Sequence, residues 1–155
     1  MSEERIRLEP SWKARVGAAF ERPEMLALAD FLRAQKRAGK VIYPPGPQIF
    51  AALDRTPFDA VKVVILGQDS YPTAGHADGL AFSAGKGRPR SLARIFELFA
   101  EAWPGFLRQQ RGRSKAGRGK AALLLNPVLT VEIGRSGSHL NCGWQALTRQ
   151  IISYL

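Results

Sequence analysis

The chain of 155 residues carries 23 Lys and Arg against 13 Asp and Glu, and its formal charge of +10 favours a polyanionic partner such as nucleic acid or an anionic membrane surface over a cationic one. Its length suits one domain with its own core, so 1–155 is expected to fold as a single unit. The one cysteine, Cys142, excludes an intramolecular disulfide and a Cys-based metal cluster, and it makes a reducing cytoplasm the expected location. The opening MSEERIRLEP lacks the apolar stretch of a signal peptide, and no run approaches membrane-spanning length.

Residues 11–38 place Trp12, Val16, Phe20, Met25, Leu28, Phe31 and Leu32 mostly three or four apart, which predicts two helices separated at Pro23 and ended by Gly39. Pro44, Pro45 and Pro47 then forbid regular structure until a helical pattern resumes over 48–53. VKVVIL (61–66) is too short for a helix and too uniformly apolar for a half-exposed strand, so it reads as a central parallel strand. Residues 79–82 are a second strand candidate, and SLARIFELFAEAW (91–103) reads as an amphipathic helix capped by Ser91. RQQRGRSKAGRGKA (108–121) has six basic residues and no acid, a flexible basic loop that is either a solvated linker or, less favoured, a phosphate-binding arm. ALLL (122–125) is a third strand, and 144–155 a final helix with one apolar face.

Strands separated by helices predict an α/β layered fold with a mainly parallel sheet and a ligand site beyond the strands' carboxyl ends. Two polar stretches fall there, GQDSY after the first strand and NPVLT after the third. Asp69 can hold a water for attack or stabilise a carbon that becomes cationic, although an Asp after a strand more often caps a turn. Asn126 offers a donor and an acceptor suited to a base edge, or caps a turn in its own right. Phe82 can stack on a planar ligand, with core packing the commoner role. Phosphate-cradling P-loop, nucleophile-elbow and Cys/His metal patterns are absent, which leaves metal-independent chemistry with one essential acid.

VKVVILGQDSYPTAGHADGLAFS (61–83) resembles the water-activating signature of family 1 uracil-DNA glycosylases, G-Q-D-P-Y-[HP] followed by G-L-[AC]-F-S. YPPGPQIFAAL (43–53) is similar to that family's Tyr-Pro-Pro segment, RSLARIFEL (90–98) to its Pro-Pro-Ser-Leu loop and helix, and LLLNPVLTVEIGRSGSHLNCGW (123–144) to its L-L-L-N-x-x-L-T-V...S-H...G-W region. The resemblance implies a three-layer α/β sandwich around a short, mainly parallel sheet, and an enzyme that flips uracil out of DNA and hydrolyses its N-glycosidic bond without metal or cofactor. By that resemblance Asp69 positions the water and stabilises the oxocarbenium-like sugar. Asn126 reads the N3 and O4 edge, Phe82 stacks on the base, Tyr71 presses against C5, Gln68 contributes to the pocket floor, and Ser91 contacts a DNA phosphate. The expected partner is uracil-containing single- or double-stranded DNA, with no membrane and a monomeric chain. The alternatives are a non-catalytic DNA-binding module and, with less support, a hydrolase of small nucleosides.

Four departures accompany the resemblance. Ser70 stands where the pattern has proline, which is expected to loosen the loop aiming Asp69, and Arg90 replaces the second proline ahead of Ser91. The basic run 108–121 replaces an apolar, Trp-containing pattern. The chain stops at Leu155, before the family's last strand and its H-P-S-P-[LH]-S loop, whose His donates to the uracil oxygen and whose apolar side chain fills the space left by the flipped base. A missing donor of that kind typically costs about 2.7 to 4 kcal/mol of transition-state stabilisation. The expectation is therefore a truncated or degenerate copy, with the last strand missing and ALLL left as an exposed apolar edge.

Overall fold

The computed structural model describes residues 6–85, 93–94, 97–98, 101 and 122–155. Helix α1 (Pro10–Val16) starts with proline at its first position, and the Glu9 carboxylate accepts the Trp12 N–H at 3.2 Å. Trp12 and Val16 point inward, and a 3₁₀ turn (Gly17–Glu21) adds Ala19 and Phe20 to the same core. Arg22 is extended, as a residue before proline prefers, so the chain breaks there and restarts as α2 (Pro23–Arg37). Gly39, at φ +77°, follows its end.

Strand β1 (Ile42–Tyr43) comes next, then α3 (Ala51–Arg55), β2 (Val63–Leu66), β3 (Ala122–Leu125), β4 (Val131–Glu132) and α4 (Trp144–Ser153). Strands β2 and β3 pair in parallel with Leu66 opposite Leu125, while β1 and β4 form a separate antiparallel pair with Tyr43 opposite Val131. Among the described residues the architecture is mixed α/β with small sheets, rather than the single three-strand, mainly parallel sheet expected from the sequence. Residues 79–82 are the main reason. Gly79 (φ +84°) and Phe82 (φ +53°) take left-handed conformations incompatible with a strand, so the segment is a turn that touches β3 through one bond, Ala81 N–H to Leu124 O at 3.1 Å.

The core gathers Trp12, Phe20, Leu28, Leu53, Leu123, Leu125, Leu147 and Ile151, all essentially fully buried. Trp12 Nε1–H donates to the Thr56 carbonyl at 2.8 Å, and Thr56 Oγ donates to the Ala122 carbonyl at 3.2 Å, so α1 is tied to the start of β3. Leu123 and Leu125 are buried, and Thr56 and Ala81 occupy the outward carbonyls of Ala122 and Leu124. The expected exposed edge at ALLL is therefore covered. Exposure falls instead on β2, where Val63, Ile65 and Leu66 are accessible, because among the described residues its ladder partner is β3 alone.

Residues 93–94, 97–98 and 101 are helical, in keeping with the helix read over 91–103. Ser91, Arg90 and the basic run 108–121 lie outside the described residues. No described helix is long and apolar enough to cross a membrane.

Gly79 packs so closely on the turn before α3 that an added Cβ would sit 1.9 Å from the Gln48 carbonyl oxygen, at a φ that already disfavours any other residue. Gly79→Ala is expected to lower the unfolding free energy by more than about 1 kcal/mol in urea titrations, with the slope unchanged.

Candidate active site

Because β2 and β3 run in parallel and in register, the residues that leave their carboxyl ends emerge side by side. The Gly67 N–H donates to the Leu125 carbonyl at 3.0 Å, extending the ladder one step beyond the strands. Asn126, 6 % exposed, lies directly against Gly67: a Cβ there would come within 2.1 Å of Asn126 Oδ1 and 3.0 Å of Ala81 Cβ. Only glycine leaves the room that the amide occupies. Asp69 follows two residues later, half-buried, and its Oδ2 accepts the Gly137 N–H at 2.9 Å. A carboxylate has about four lone-pair sites, so one backbone donor can fix its orientation and leave capacity to hold a water.

The loop carrying Asp69 is tied down twice more. Ser70, 4 % exposed, donates to the Leu129 carbonyl at 3.2 Å, and the Gly134 N–H donates to the Pro72 carbonyl at 2.9 Å. The serine thus contributes a hydrogen bond between the two strand-end loops, in place of the fixed φ of the expected proline. Tyr71 is half-buried and meets His76 edge-on, with 6.4 Å between ring centroids. Gln68 is exposed.

Phe82 is 42 % exposed, next to Ala81 on the β3 side of the site, rather than in the core. A bulky residue at φ +53° costs of order 1 kcal/mol or more in backbone strain, and such strain persists where the surroundings over-determine the conformation. The structure therefore brings Asp69, Asn126, Tyr71 and Phe82 to one sheet end, by way of loops 67–72, 79–82 and 126–130. Ser91 lies outside the described residues.

Reading side chains alone missed Gly67 and Gly137, which act through the absence of a Cβ and through a backbone N–H. The only signal was their type: glycine directly after an apolar strand, and the run G-R-S-G-S-H, whose two glycines mark a tight turn. That turn is held by Ser138 Oγ, which accepts the Glu132 N–H at 2.8 Å, and by His139, whose Nδ1 lies 2.8 Å from Thr130 Oγ. A cavity of about 440 Å³, lined by Ala27, Phe31, Gly137, Ser138, Asn141 and Cys142, opens beside the turn; no strand-end residue lines it. Among the described residues no three His, Cys, Asp or Glu side chains cluster to hold a metal ion.

No family model matches the chain. It is 50 % identical over 155 residues to a uracil-DNA glycosylase of Xanthomonas euvesicatoria, covering 99 % of this chain and 64 % of that protein. To the uracil-DNA glycosylase of Xylella fastidiosa strain M12 it is 49 % identical over 156 residues, covering 99 % and 61 %. The chain thus spans less than two thirds of the length of the curated relatives it matches. A crystal structure of mimivirus uracil-DNA glycosylase superposes with a TM-score of 0.81 at 23 % identity, over 99 % of this chain and 58 % of that one, which shows the shared fold.

Burial holds the His139 imidazole below the ordinary histidine value of 6.5; the Glu132 carboxylate pulls it up and Lys40 pushes it down, both more weakly. The folded state keeps the ring neutral while the unfolded chain takes up a proton near 6.5, so the unfolded state binds more protons below that pH. Stability should be fully present above pH 6.5 and fall as the pH drops below it, as measured by urea unfolding across that range. The same series on His139→Leu should show a shallower dependence.

Proposed function

Because the chain belongs to the uracil-DNA glycosylase family over the part of that family it spans, we propose that it excises uracil from DNA by hydrolysing the bond between uracil N1 and the deoxyribose C1′. The observation that carries this reading is the abutment of Asn126 on Gly67 at the end of a parallel strand pair, with Asp69 two residues on and oriented by Gly137. In this reading the C1′–N1 electron pair leaves with the base, the sugar becomes oxocarbenium-like, and a water oxygen bonds to C1′ while the released proton passes to solvent. Asp69 faces the cationic carbon and holds that water.

Asn126 accepts from uracil N3–H and donates to O4. Cytosine presents the opposite pattern at those two positions, so a fixed amide rejects it. Phe82, exposed and next in the chain to Ala81, supplies the stacking face, and Tyr71 closes the C5 side against a methyl group. Gln68 lines the floor, and Ser91 contacts a phosphate of the strand. The three-layer sandwich belongs to the same reading, with the parallel pair of β2 and β3 at its centre. The charge of +10 supports attraction to the DNA backbone, and it is also what favours the second reading, a DNA-binding module without catalysis.

The deciding experiment is single-turnover excision of uracil from a labelled single-stranded oligonucleotide, with protein in excess. Excision is expected, and Asp69→Asn should slow it by about 10²- to 10⁴-fold. Asn126→Asp should abolish the preference for uracil over cytosine. A folded chain that excises nothing, and whose DNA binding ignores uracil and collapses with added salt, would establish the second reading.

Phe82 gives a separate test, because asparagine tolerates left-handed φ while lacking the ring. Phe82→Asn should hold thermal stability within about 1 kcal/mol, yet weaken binding of uracil-containing DNA by roughly 1 to 3 kcal/mol, the usual worth of an aromatic stacking partner.

A further inference from the structure

Asp69 is held by a backbone N–H, and the turn that offers that N–H is fixed by buried side chains with no place in the chemistry proposed above. Trp144 Nε1 lies 2.7 Å from Thr130 Oγ, and Thr130 Oγ lies 2.8 Å from His139 Nδ1. All three residues are buried, with Thr130 and His139 at 0 % and 1 % exposure. Trp144 can only donate, so the Thr130 oxygen accepts there, and His139 Nδ1 lies within reach of the hydroxyl's own hydrogen. With the hydroxyl donating, the ring takes the Nε2–H tautomer, and Nε2 is a buried atom with no hydrogen-bond partner among the described residues.

His139 is further bracketed by the Phe31 ring, edge-on at 5.3 Å, and by Cys142 Sγ, which donates to its carbonyl. Two residues earlier, Gly137 at φ +71° turns its N–H onto Asp69 Oδ2. A continuous path therefore runs from the first residue of α4, through Thr130 and His139, to the turn that aims the carboxylate. A buried polar atom left without a partner is a cost that most cores avoid. Here it accompanies the orientation of a ring whose other nitrogen anchors that turn.

We propose that Thr130 and His139 are positioning residues for Asp69, acting through the Gly137 N–H. This inference rests on the excision reading for its kinetic arm, and its spectroscopic arm is independent of activity. Thr130→Val removes the hydroxyl that links indole and imidazole while keeping its bulk; Thr130→Ser restores the hydroxyl. Thr56→Val removes a buried hydroxyl bonded at the opposite end of β3 and serves as the control.

Amide hydrogen exchange at Gly137, followed by NMR, should accelerate by at least about tenfold in Thr130→Val, stay near the starting rate in Thr130→Ser, and not respond to Thr56→Val. Single-turnover excision should slow by about ten- to a hundredfold in Thr130→Val with the half-saturating DNA concentration little changed, and recover in Thr130→Ser. Should Thr130→Val not fold, Trp144→Phe deletes one link of the path and is expected to show the same exchange effect in smaller measure. Unchanged Gly137 exchange in a folded variant of either kind, or an Nδ1–H tautomer of His139 in the ¹⁵N spectrum, would overturn the positioning role. Loss of Gly137 protection in a protein that never excised uracil would instead retain the path and reject the excision reading.

Discussion

The arrangement depends on one packing constraint: two parallel strands end in register, and the residue after one of them has no side chain. Gly67 and Asn126 are the next pair after Leu66 and Leu125. With any Cβ at position 67, the Asn126 amide could not lie where it does. Beyond that pair Ser70 donates to the Leu129 carbonyl, which draws the loop with Asp69 back over the strand ends. Placement of the Asp69 carboxylate and of the Asn126 amide thus depends together on strand register and on a missing side chain.

The core is asymmetric about that strand pair. Strand β3 is enclosed, its inward leucines against α1, α3 and α4 and its outward carbonyls bonded by Thr56 and Ala81, whereas β2 keeps three apolar side chains accessible. The stabilising burial therefore lies on the side that holds Asn126. The far end of the same strand is tied to the N-terminal helix, where Trp12 bonds Thr56 and Thr56 bonds Ala122. At about 25 cal/mol per Å² of apolar surface, the buried Leu123 and Leu125 each contribute about 1.5 to 3 kcal/mol, and the exposed β2 residues much less.

What the sequence could reveal follows from which atoms carry the information. Apolar runs bounded by polar residues marked β2 and β3, and Pro23 marked the break between α1 and α2, because burial and ring sterics are properties of side chains. Asp69 and Asn126 stood out for the same reason, as polar side chains directly after those runs. Residues 79–82 misled, since Leu80 and Ala81 are buried as strand residues would be, while the dihedrals of Gly79 and Phe82 leave no trace in an apolar pattern. Gly137 was invisible for a deeper reason: every residue but proline carries an N–H, so nothing in residue type marks the one that meets a carboxylate. The short pairing of β1 with β4 escaped notice among prolines because two residues give no periodicity to read.

Three local costs sit close to the strand ends: a phenylalanine in a left-handed conformation, a buried imidazole nitrogen without a partner among the described residues, and a half-buried carboxylate. A fold selected for stability alone would have little reason to keep them together, because each has an inexpensive replacement of similar size or backbone preference. Their grouping makes sense if each maintains a direction. Phe82 turns its ring outward, His139 holds a turn, and Asp69 is aimed by that turn. Rigid orientation matters most where charge develops in a transition state, because donors and acceptors fixed in advance need not reorganise at the moment of reaction. The structure thus places its strain where orientation would be converted into rate, and its best packing directly beneath.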